Sequence, residues 1–354
     1  MTVPIVSPLL GLRAAVFEDR PAIDAFVRAH PESTPFHLSA WGKAVADGCG
    51  QRGHILLAER ADGAIEGMLP LTEMRHVLFG KALVSNGFAV GGGVLVNSDA
   101  AAGMLAEAGW ALAQKLGCPS LELRGGVRPA GDWILEEGAY LGFVRPLAAS
   151  DEEELTAIPR KQRAEVRKAL ALDLKVTVGR SAADLKAHYA VYSESVRNLG
   201  TPVFPATLFR SVLREFGNDA DILTVRHAGT PIASVLSLYH GGMVYPYWGG
   251  GTHAARALRG NDRMYFALMA HARARGCTRF DFGRSKVGTG PAAFKKNWGF
   301  EGVPLSYAKR VADGQEAREI NPLSPKYQAK IALWKKLPLP VANLIGPLLA
   351  RGLG

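Results

Sequence analysis

The sequence predicts an α/β protein of two similar domains, each a mixed, largely antiparallel sheet with helices on its faces. Short alternating apolar segments follow helical segments along the whole chain, and the second half repeats the element order of the first. The length of 354 residues, 48% of them hydrophobic, is typical of two globular domains.

The first half begins with two helices and a hairpin. Apolar spacing near 3.6 residues predicts helices over residues 21–30 and 38–47. A strand over 54–60, the turn Ala61-Asp62-Gly63 and a second strand through Leu71 form the hairpin. Further strand is predicted over 81–96, interrupted by three glycines at 91–93, then a helix over 100–116 and a strand over 120–124.

The second half repeats this order. We expect helices over 185–199 and 208–216, strands over 222–226, 232–239 and 243–248, a helix over 263–275 and a strand over 279–282. Residues 116–123 and 275–282 share one local pattern, in which a helix-ending glycine precedes a cysteine and an alternating strand with one acid. We place the boundary at the acidic run 151–154, which gives domains over 1–150 and 151–320 and a tail over 321–354.

Composition narrows the possible functions. No run reaches the roughly 18 apolar residues of a spanning helix, and Pro4 and Pro8 interrupt the first apolar stretch, so we expect a cytoplasmic protein. Cys49, Cys118 and Cys277 are far apart and are interpreted as core residues, not as disulfides or zinc ligands. The net charge of +10 favours anionic partners, namely phosphorylated substrates, nucleic acid or an acidic membrane face.

Three segments carry a family resemblance: residues 36–43 (FHLSAWGK), the basic helix 160–169 (RKQRAEVRKA) with the strand after it, and residues 294–300 (FKKNWGF). In this order they resemble the FemAB family of peptidyl transferases, which add amino acids to cell-wall precursors. The resemblance covers residues 36 to 307 and implies two tandem GNAT-like (acyl-CoA N-acyltransferase-like) domains. A narrower likeness, which includes the tail, is to FemAB-related proteins encoded with bacterial exosortase (PEP-CTERM) and exopolysaccharide systems.

The resemblance implies transfer of an aminoacyl or other acyl group to an amine of a cell-wall or exopolysaccharide precursor, with aminoacyl-tRNA as donor. Such a reaction needs an oriented amine, a proton acceptor and donors for the oxyanion, and it needs no metal or bound cofactor. The lysine of the family's Phe-Lys motif, thought to stabilise the charged intermediate, corresponds to Lys295. Alternatively, Lys295 and Lys296 form one solvated basic edge.

Two further residues are candidate catalytic groups. Asp281 either takes a proton from the amine or pairs with Arg284 as a structural group, and strand alternation would place it on the solvent face. Tyr247 either acts as proton donor or hydrogen-bond partner, or packs with Tyr245 and Trp248 as a core ring.

The candidate substrate-binding residues are mostly basic. Arg284 and Lys286 follow the last predicted strand in a glycine-containing loop, which either binds phosphate or is an ordinary connection, with Lys296 nearby. Arg163 and Arg167 share one side of the basic helix with Arg160 and would contact substrate diphosphate or tRNA, or form a solvated face. Two aromatic candidates, one from each half, complete the set: Trp41 and Trp248.

Two absences bear on the acyl donor. Residues 257–262 correspond to the pyrophosphate loop of coenzyme-A-dependent acetyltransferases, but Asp262 stands where a small neutral residue belongs, which disfavours a coenzyme A donor. The second domain has no coiled-coil arm of the kind some FemAB members use with tRNA. Three hypotheses stay open: an aminoacyl- or acyltransferase, an enzyme using an acyl thioester of coenzyme A or a carrier protein, and a non-catalytic scaffold for polysaccharide assembly.

The tail over residues 324–354 is predicted to rest on an acidic membrane face, which would place the protein peripherally at the inner membrane. Its apolar residues recur near helical spacing between basic ones: Tyr327, Ile331, Trp334 and Leu337 among Lys326, Lys330, Lys335 and Lys336. The later run over residues 344–349 is apolar as well. Alternatively, the same apolar face packs on the first domain.

Overall fold

The structure, a computed structural model, describes residues 10–315 and 325–354. Within the first half it contains seven strands and three α-helices. The strands are β1 (Gly11–Ala14), β2 (Arg52–Glu59), β3 (Ile65–His76), β4 (Gly80–Ser85), β5 (Leu95–Val96), β6 (Ser120–Arg124) and β7 (Ile134–Pro146). The helices are α1 (Arg20–Ala29), α2 (Ser39–Cys49) and α3 (Asp99–Lys115).

The described part of the second half contributes six more strands and nine helices. The strands are β8 (Lys175–Gly179), β9 (Ala220–His227), β10 (Thr230–His240), β11 (Met243–Gly251), β12 (Arg279–Lys286) and β13 (Val303–Val311). The helices are α4 (Asp151–Ala157), α5 (Arg160–Leu170), α6 (Ala182–Leu199), α7 (Ala206–Phe216), α8 (His253–Ala257), α9 (Gly260–Ala274), α10 (Gly290–Asn297), α11 (Pro325–Lys336) and α12 (Leu339–Ala350).

All described strands join one sheet whose centre is shared by the two halves. Its order is β1-β2-β3-β4-β6-β13-β7-β12-β11-β10-β9-β8, with β5 beside β3. Strand β13 of the second half pairs with β6 and β7 of the first, and β7 in turn pairs with β12. Each half therefore places its last strand beside the other half's sheet, so the sheet continues across the boundary predicted at residue 150.

The two halves share one local architecture. A short parallel ladder joins β4 to β6 through two residue pairs and β11 to β12 through two residue pairs, whereas the other neighbouring strands are antiparallel. Helices α3 and α9 both end at a glycine of positive φ, Gly117 and Gly276, and the N–H of the next cysteine donates to a carbonyl five residues back. The repeat predicted from residues 116–123 and 275–282 is confirmed, and Cys49, Cys118 and Cys277 are buried and free.

Several elements differ from the prediction. The segment 81–96 is not one strand interrupted at its glycines, because β4 ends at Ser85 and a turn with positive φ at Asn86 and Phe88 precedes β5. The residues Arg284 and Lys286 are not in a loop, since β12 continues to Lys286. Strands β7 and β13 were not predicted at all, because the half-exposed residues of β7 show no clean alternation.

The largest core cluster draws side chains from both halves. Helices α2 and α7 pack so closely that a Cβ on Gly48 would lie 2.5 Å from the Cα of Leu208. In the same cluster the rings of Trp41 and Trp248 stack at 5.9 Å between centroids. Both rings are buried, at 0% and 4% exposure. This shared core fixes the position of the second sheet half relative to the first.

The tail lies against the body of the protein, largely on α6. A Cβ on Gly200 would lie 2.4 Å from Ile331, the side chain of Asn343 donates to Ser193 Oγ, and Gln51 donates to the Arg351 carbonyl. The apolar residue Ile331 that was predicted to contact a membrane therefore packs on the protein itself. The side chains of Lys326 and Tyr327 lie outside the described residues. Within the described ranges, no helix has both the length and the apolar character needed to cross a bilayer.

Candidate active site

The strands β11 and β12 pair only at their beginnings and then separate. Their ladder consists of Met243 with Arg279 and Val244 with Phe280, after which β11 follows β10 and β12 follows β7. The gap between them is a cavity of about 370 Å³ that also borders the first half at Val90 and Gly91. Polar groups concentrate in it, namely Asp281, Arg284, Lys295 and the tyrosines Tyr245, Tyr247, Tyr265 and Tyr307.

Each of the two strands carries a bulge at the cavity. On β11, Pro246 pairs with Ser237 and Trp248 with Leu236, so Tyr247 is the extra residue. On β12, one residue is inserted between Asp281 and Arg284, where Gly283 has φ of +68°. A bulge re-aims neighbouring side chains and peptide groups, and a glycine tolerates the left-handed backbone that this bulge requires.

The carboxylate of Asp281 is held by the backbone of this bulge. Its Oδ1 accepts the N–H of Gly283 at 2.7 Å. Burial raises the pKa of Asp281 to about 6, although the Gly283 N–H and the charge of Lys295 act in the opposite direction. Asp281 thus neither lies on a solvated sheet face nor pairs with Arg284, and it is suited to exchange a proton near neutral pH.

Lys295 lies on α10 and reaches the same bulge from the helix side. It is 9% exposed, and its Nζ donates to the carbonyls of Gly283 at 3.1 Å and Arg284 at 2.9 Å. Burial lowers the pKa of Lys295 to about 8, and Asp281 offsets part of this shift. An ammonium group has three N–H donors, so one is left for a ligand in the cavity. Lys296 is exposed on the other side of α10, so the two lysines do not form one basic edge.

The guanidinium of Arg284 is surrounded by tyrosines. It lies 4.6 Å from the ring centre of Tyr140, and its Nη1 donates to Tyr307 Oη at 2.5 Å. Tyr307 in turn donates to the carbonyl of Val90 in the first half. Among the described residues no carboxylate forms an ion pair with Arg284, so this half-buried cation faces the cavity without a directly bound carboxylate.

Tyr247 closes the cavity toward the first half. Its Oη donates to the carbonyl of Phe88, and burial raises the pKa of its phenol. Because its single proton is already donated, Tyr247 can accept a hydrogen bond from a ligand but is poorly placed to protonate one. Its role as proton donor stays a prediction.

The equivalent gap in the first half is filled by the protein. The Oγ of Ser85 accepts the N–H of Arg124, and the Arg124 side chain donates to the Ala89 carbonyl of the turn after β4. Glu122 stands where Asp281 stands in the second half. Burial alone would raise its pKa, but Arg124 at 2.7 Å and Lys309 lower the pKa of Glu122 to about 2. Of the two repeated positions, only Asp281 titrates near neutral pH and faces an open cavity.

The other predicted site residues lie outside this cavity. Trp41 and Trp248 are core residues beneath it, and Trp41 Nε1 donates to the Gly87 carbonyl, which supports the turn bordering the cavity. Arg163 donates to the carbonyls of Thr156 and Ile158 at the end of α4. It lines a separate surface pocket with Arg160 and Arg167. Lys286 lies at the end of β12.

The start of α9 is blocked as an anion site. Burial raises the pKa of the Asp262 carboxyl, which accepts a hydrogen bond from Gln162 of α5 at 2.6 Å. The N-terminus of a helix attracts anions through its unpaired N–H groups, but here a carboxylate and a neighbouring helix take up that space. These residues do not fit a coenzyme A pyrophosphate at this position.

Sequence reasoning missed three tyrosines of the site. Tyr140 and Tyr307 lie on β7 and β13, the two strands that were not predicted, and only the exchange of strands between halves brings them to Arg284. Tyr265 lies on α9, which corresponds to the helix predicted over 263–275, and its apolar neighbours in the sequence are typical of a core ring. No local sequence signal distinguishes it from its buried neighbours.

Residues 159–296 match the profile of the acetyltransferase (GNAT) domain. Several solved structures share the architecture of nearly the whole chain. FemX is similar with a TM-score of 0.66 and 16% identity, over 92% of this chain and 100% of that one. A tandem GNAT protein from the clavulanic acid biosynthesis pathway is similar with a TM-score of 0.54 and 12% identity, over 87% and 100%.

The fold is a tandem GNAT-like fold. L-PGS from Bacillus licheniformis shares it, with a TM-score of 0.54 and 15% identity over 93% of this chain and 97% of that one. No curated protein matches the sequence at a significant level. The GNAT domain match and this tandem GNAT-like fold support acyl transfer as the general class of activity.

Proposed function

We propose that the chain is an N-acyltransferase whose reaction takes place in the cavity between β11 and β12. The observation that carries the proposal is the pair Asp281, which is half-buried, and Lys295, which is buried, two groups of opposite charge fixed at one bulge where the strands separate. A group that accepts a proton and a cation that stabilises negative charge are the two functions amide formation needs from an enzyme.

In the proposed reaction the amine nitrogen of the acceptor attacks the acyl carbonyl of the donor. A C–N bond forms, the carbonyl oxygen becomes an oxyanion, and Asp281 takes a proton from the amine. The free N–H of Lys295 stabilises the oxyanion. Collapse of this intermediate breaks the bond between the carbonyl carbon and the leaving oxygen or sulfur, which receives the proton.

The charge of the cavity bears on the substrate. Arg284 supplies a planar cation with two tyrosines around it, which suits a carboxylate or phosphate on the acceptor or donor. The resemblance to FemAB peptidyl transferases favours an aminoacyl donor and a cell-wall or exopolysaccharide acceptor, and the exosortase association stays a prediction. The carboxylate of Asp262 at the start of α9 disfavours a coenzyme A thioester.

A donor panel tests this proposal. Purified protein is incubated with an amine-bearing, phosphate-linked cell-wall precursor and, separately, with aminoacyl-tRNA, acyl-coenzyme A or an acyl carrier protein, and amide products are detected by mass spectrometry. We expect a product with aminoacyl-tRNA and none with acyl-coenzyme A. Tight binding of the precursor without turnover by any donor would support the scaffold hypothesis instead.

A further inference from the structure

The last helix, α12, turns its large apolar side chains outward and its small or polar ones toward the protein. Its inward positions are small or polar, with Ala342, Gly346 and Ala350 buried and Asn343 bonded to Ser193. Its outward positions Val341, Leu344 and Leu348 are large and apolar, and Leu344 is 75% exposed. A helix on a water-facing surface normally presents polar residues outward, so this apolar stripe indicates that α12 contacts something other than water.

A second apolar feature lies beside the end of α12. The turn between β3 and β4 contains Val77, which is 100% exposed, and Leu78, which is 69% exposed. His76, immediately before them, contacts the Leu348 carbonyl of α12 at 3.0 Å. The turn and the helix stripe are more than 250 residues apart in the chain, and the fold brings them to one surface.

The charges of the tail have one sign. From residue 325 to the end, the chain holds four lysines and one arginine and no acidic residue, and residues 337–350 hold no charge at all. Lys335 and Lys336 precede α12 and Arg351 follows it, and all three are exposed. An uncharged apolar stripe with cations at both ends suits the boundary between acyl chains and anionic headgroups.

We propose that Val77, Leu78, Val341, Leu344 and Leu348 form a docking surface for an anionic lipid bilayer. A 12-residue helix is about 18 Å long, which is too short to span a bilayer but suits a helix that lies in the interface plane. The exposed turn inserts beside it, and the flanking lysines and Arg351 contact lipid phosphates. This surface keeps the apolar run 344–349 of the predicted membrane face and adds the turn at Val77 and Leu78, whereas Ile331 packs on the protein.

Vesicle sedimentation of the full chain tests the proposal. Vesicles of phosphatidylcholine alone and with phosphatidylglycerol are compared for the wild type, Leu344→Glu and a Val77→Ser/Leu78→Ser double variant. We expect the wild type to bind the anionic vesicles more tightly, and each variant to lose about tenfold or more in partitioning because exposed apolar area is removed. Val178→Glu, an exposed apolar position at the other end of the sheet, is the matched control and should bind like the wild type.

Two results would overturn the proposal. One is equal partitioning of the wild type and both variants. The other is a wild-type dimer in sedimentation velocity that Leu344→Glu converts to monomer, with no vesicle binding by either, since the surface would then join two copies of this chain. Circular dichroism melting shows whether each variant is folded. Neither readout depends on turnover, so the result is independent of the proposed acyl transfer.

Discussion

Asp281 and Lys295 form hydrogen bonds with the two backbone polar groups of the same residue, Gly283. The carboxylate of Asp281 accepts the Gly283 N–H at 2.7 Å, and the ammonium of Lys295 donates to the Gly283 carbonyl at 3.1 Å. Burial moves their pKa values toward each other, to about 6 and about 8. The bulge therefore holds close together a carboxylate and an ammonium group whose pKa values both lie near neutral pH, as the proposed acyl transfer requires.

The pH dependence of turnover follows from these two groups. The proposed reaction uses Asp281 without its proton and Lys295 with its proton, so kcat/KM should rise through about pH 6 and fall through about pH 8. The profile is measured with a donor and acceptor that do not titrate in this range. In Asp281→Asn the rise near pH 6 should disappear along with most of the activity. An unchanged rise in this variant would show that another group is the base.

Stability should depend on pH through Asp281. Its pKa is raised from 3.8 to about 6 on folding, so its contribution to the free energy of unfolding is full below pH 4 and is lost as the pH rises through 6. Asp281→Asn keeps an acceptor for the Gly283 N–H without the charge. We expect this variant to be more stable than the wild type at pH 8, on the order of 1–3 kcal/mol, and similar at pH 4. Urea unfolding at both pH values measures the difference.

Lys295 makes the stability of the protein depend on pH in the opposite direction. Its pKa is lowered from 10.5 to about 8, so its contribution to stability is lost as the pH falls through 8. In the Asp281→Asn variant this second dependence should remain. Parallel stability curves for the wild type and the variant between pH 4 and 8 would contradict the burial of Asp281.

The bulge glycine can be tested against a matched glycine. Gly283 and Gly288 have φ of +68° and +77°, and neither has an atom within 4 Å of an added Cβ. Replacing either by alanine should cost about 1–2 kcal/mol of unfolding free energy from backbone strain alone. Only Gly283→Ala should also reduce kcat, since it displaces the peptide that holds Asp281 and Lys295. Equal kcat for both variants would separate the bulge from catalysis.

Arg284 should govern binding of an anionic substrate. Removing its charge in Arg284→Gln is expected to raise KM about tenfold or more while kcat falls less, because a charge-assisted hydrogen bond in a buried site is lost. Arg310→Gln is the matched control, since Arg310 also lies over an aromatic ring, Trp110 at 5.2 Å, but pairs with Glu107. Steady-state kinetics give KM and kcat for both variants. Similar KM values for Arg284→Gln and Arg310→Gln would remove Arg284 from the substrate site.

The sequence could predict the fold but only part of the site. Local patterns located α1, α2, α3, α5, α6, α7 and α9, the hairpin strands and the Gly-Cys repeat, since these depend on short-range periodicity and caps. The shorter helices α4, α8 and α10 were not predicted. The exchange of β7 and β13 depends on pairing between residues far apart in the chain, and no local pattern encodes it. Tyr140 and Tyr307 therefore escaped prediction, although Asp281 and Lys295 were named.

Burial was the other quantity that the sequence left open. Phe294-Lys295-Lys296 reads as a basic pair, and only the packing of α10 against β12 shows that Lys295 faces inward while Lys296 faces water. The tail shows the same limit. Helical spacing of its apolar residues does not show what they contact, so the sequence could not tell that Ile331 packs on the protein and Leu344 does not.

The measurement that tests the central claim most directly compares amide formation by the wild type, Lys295→Ala and Lys296→Ala with the donor that supports turnover. Both variants remove one lysine from the same helix, but only Lys295 reaches the cavity. We expect Lys295→Ala to reduce kcat by ~10²–10³, the usual loss for one oxyanion donor, and Lys296→Ala to retain wild-type kcat. Wild-type kcat in a folded Lys295→Ala variant would contradict the assignment of the cavity between β11 and β12 as the site of acyl transfer.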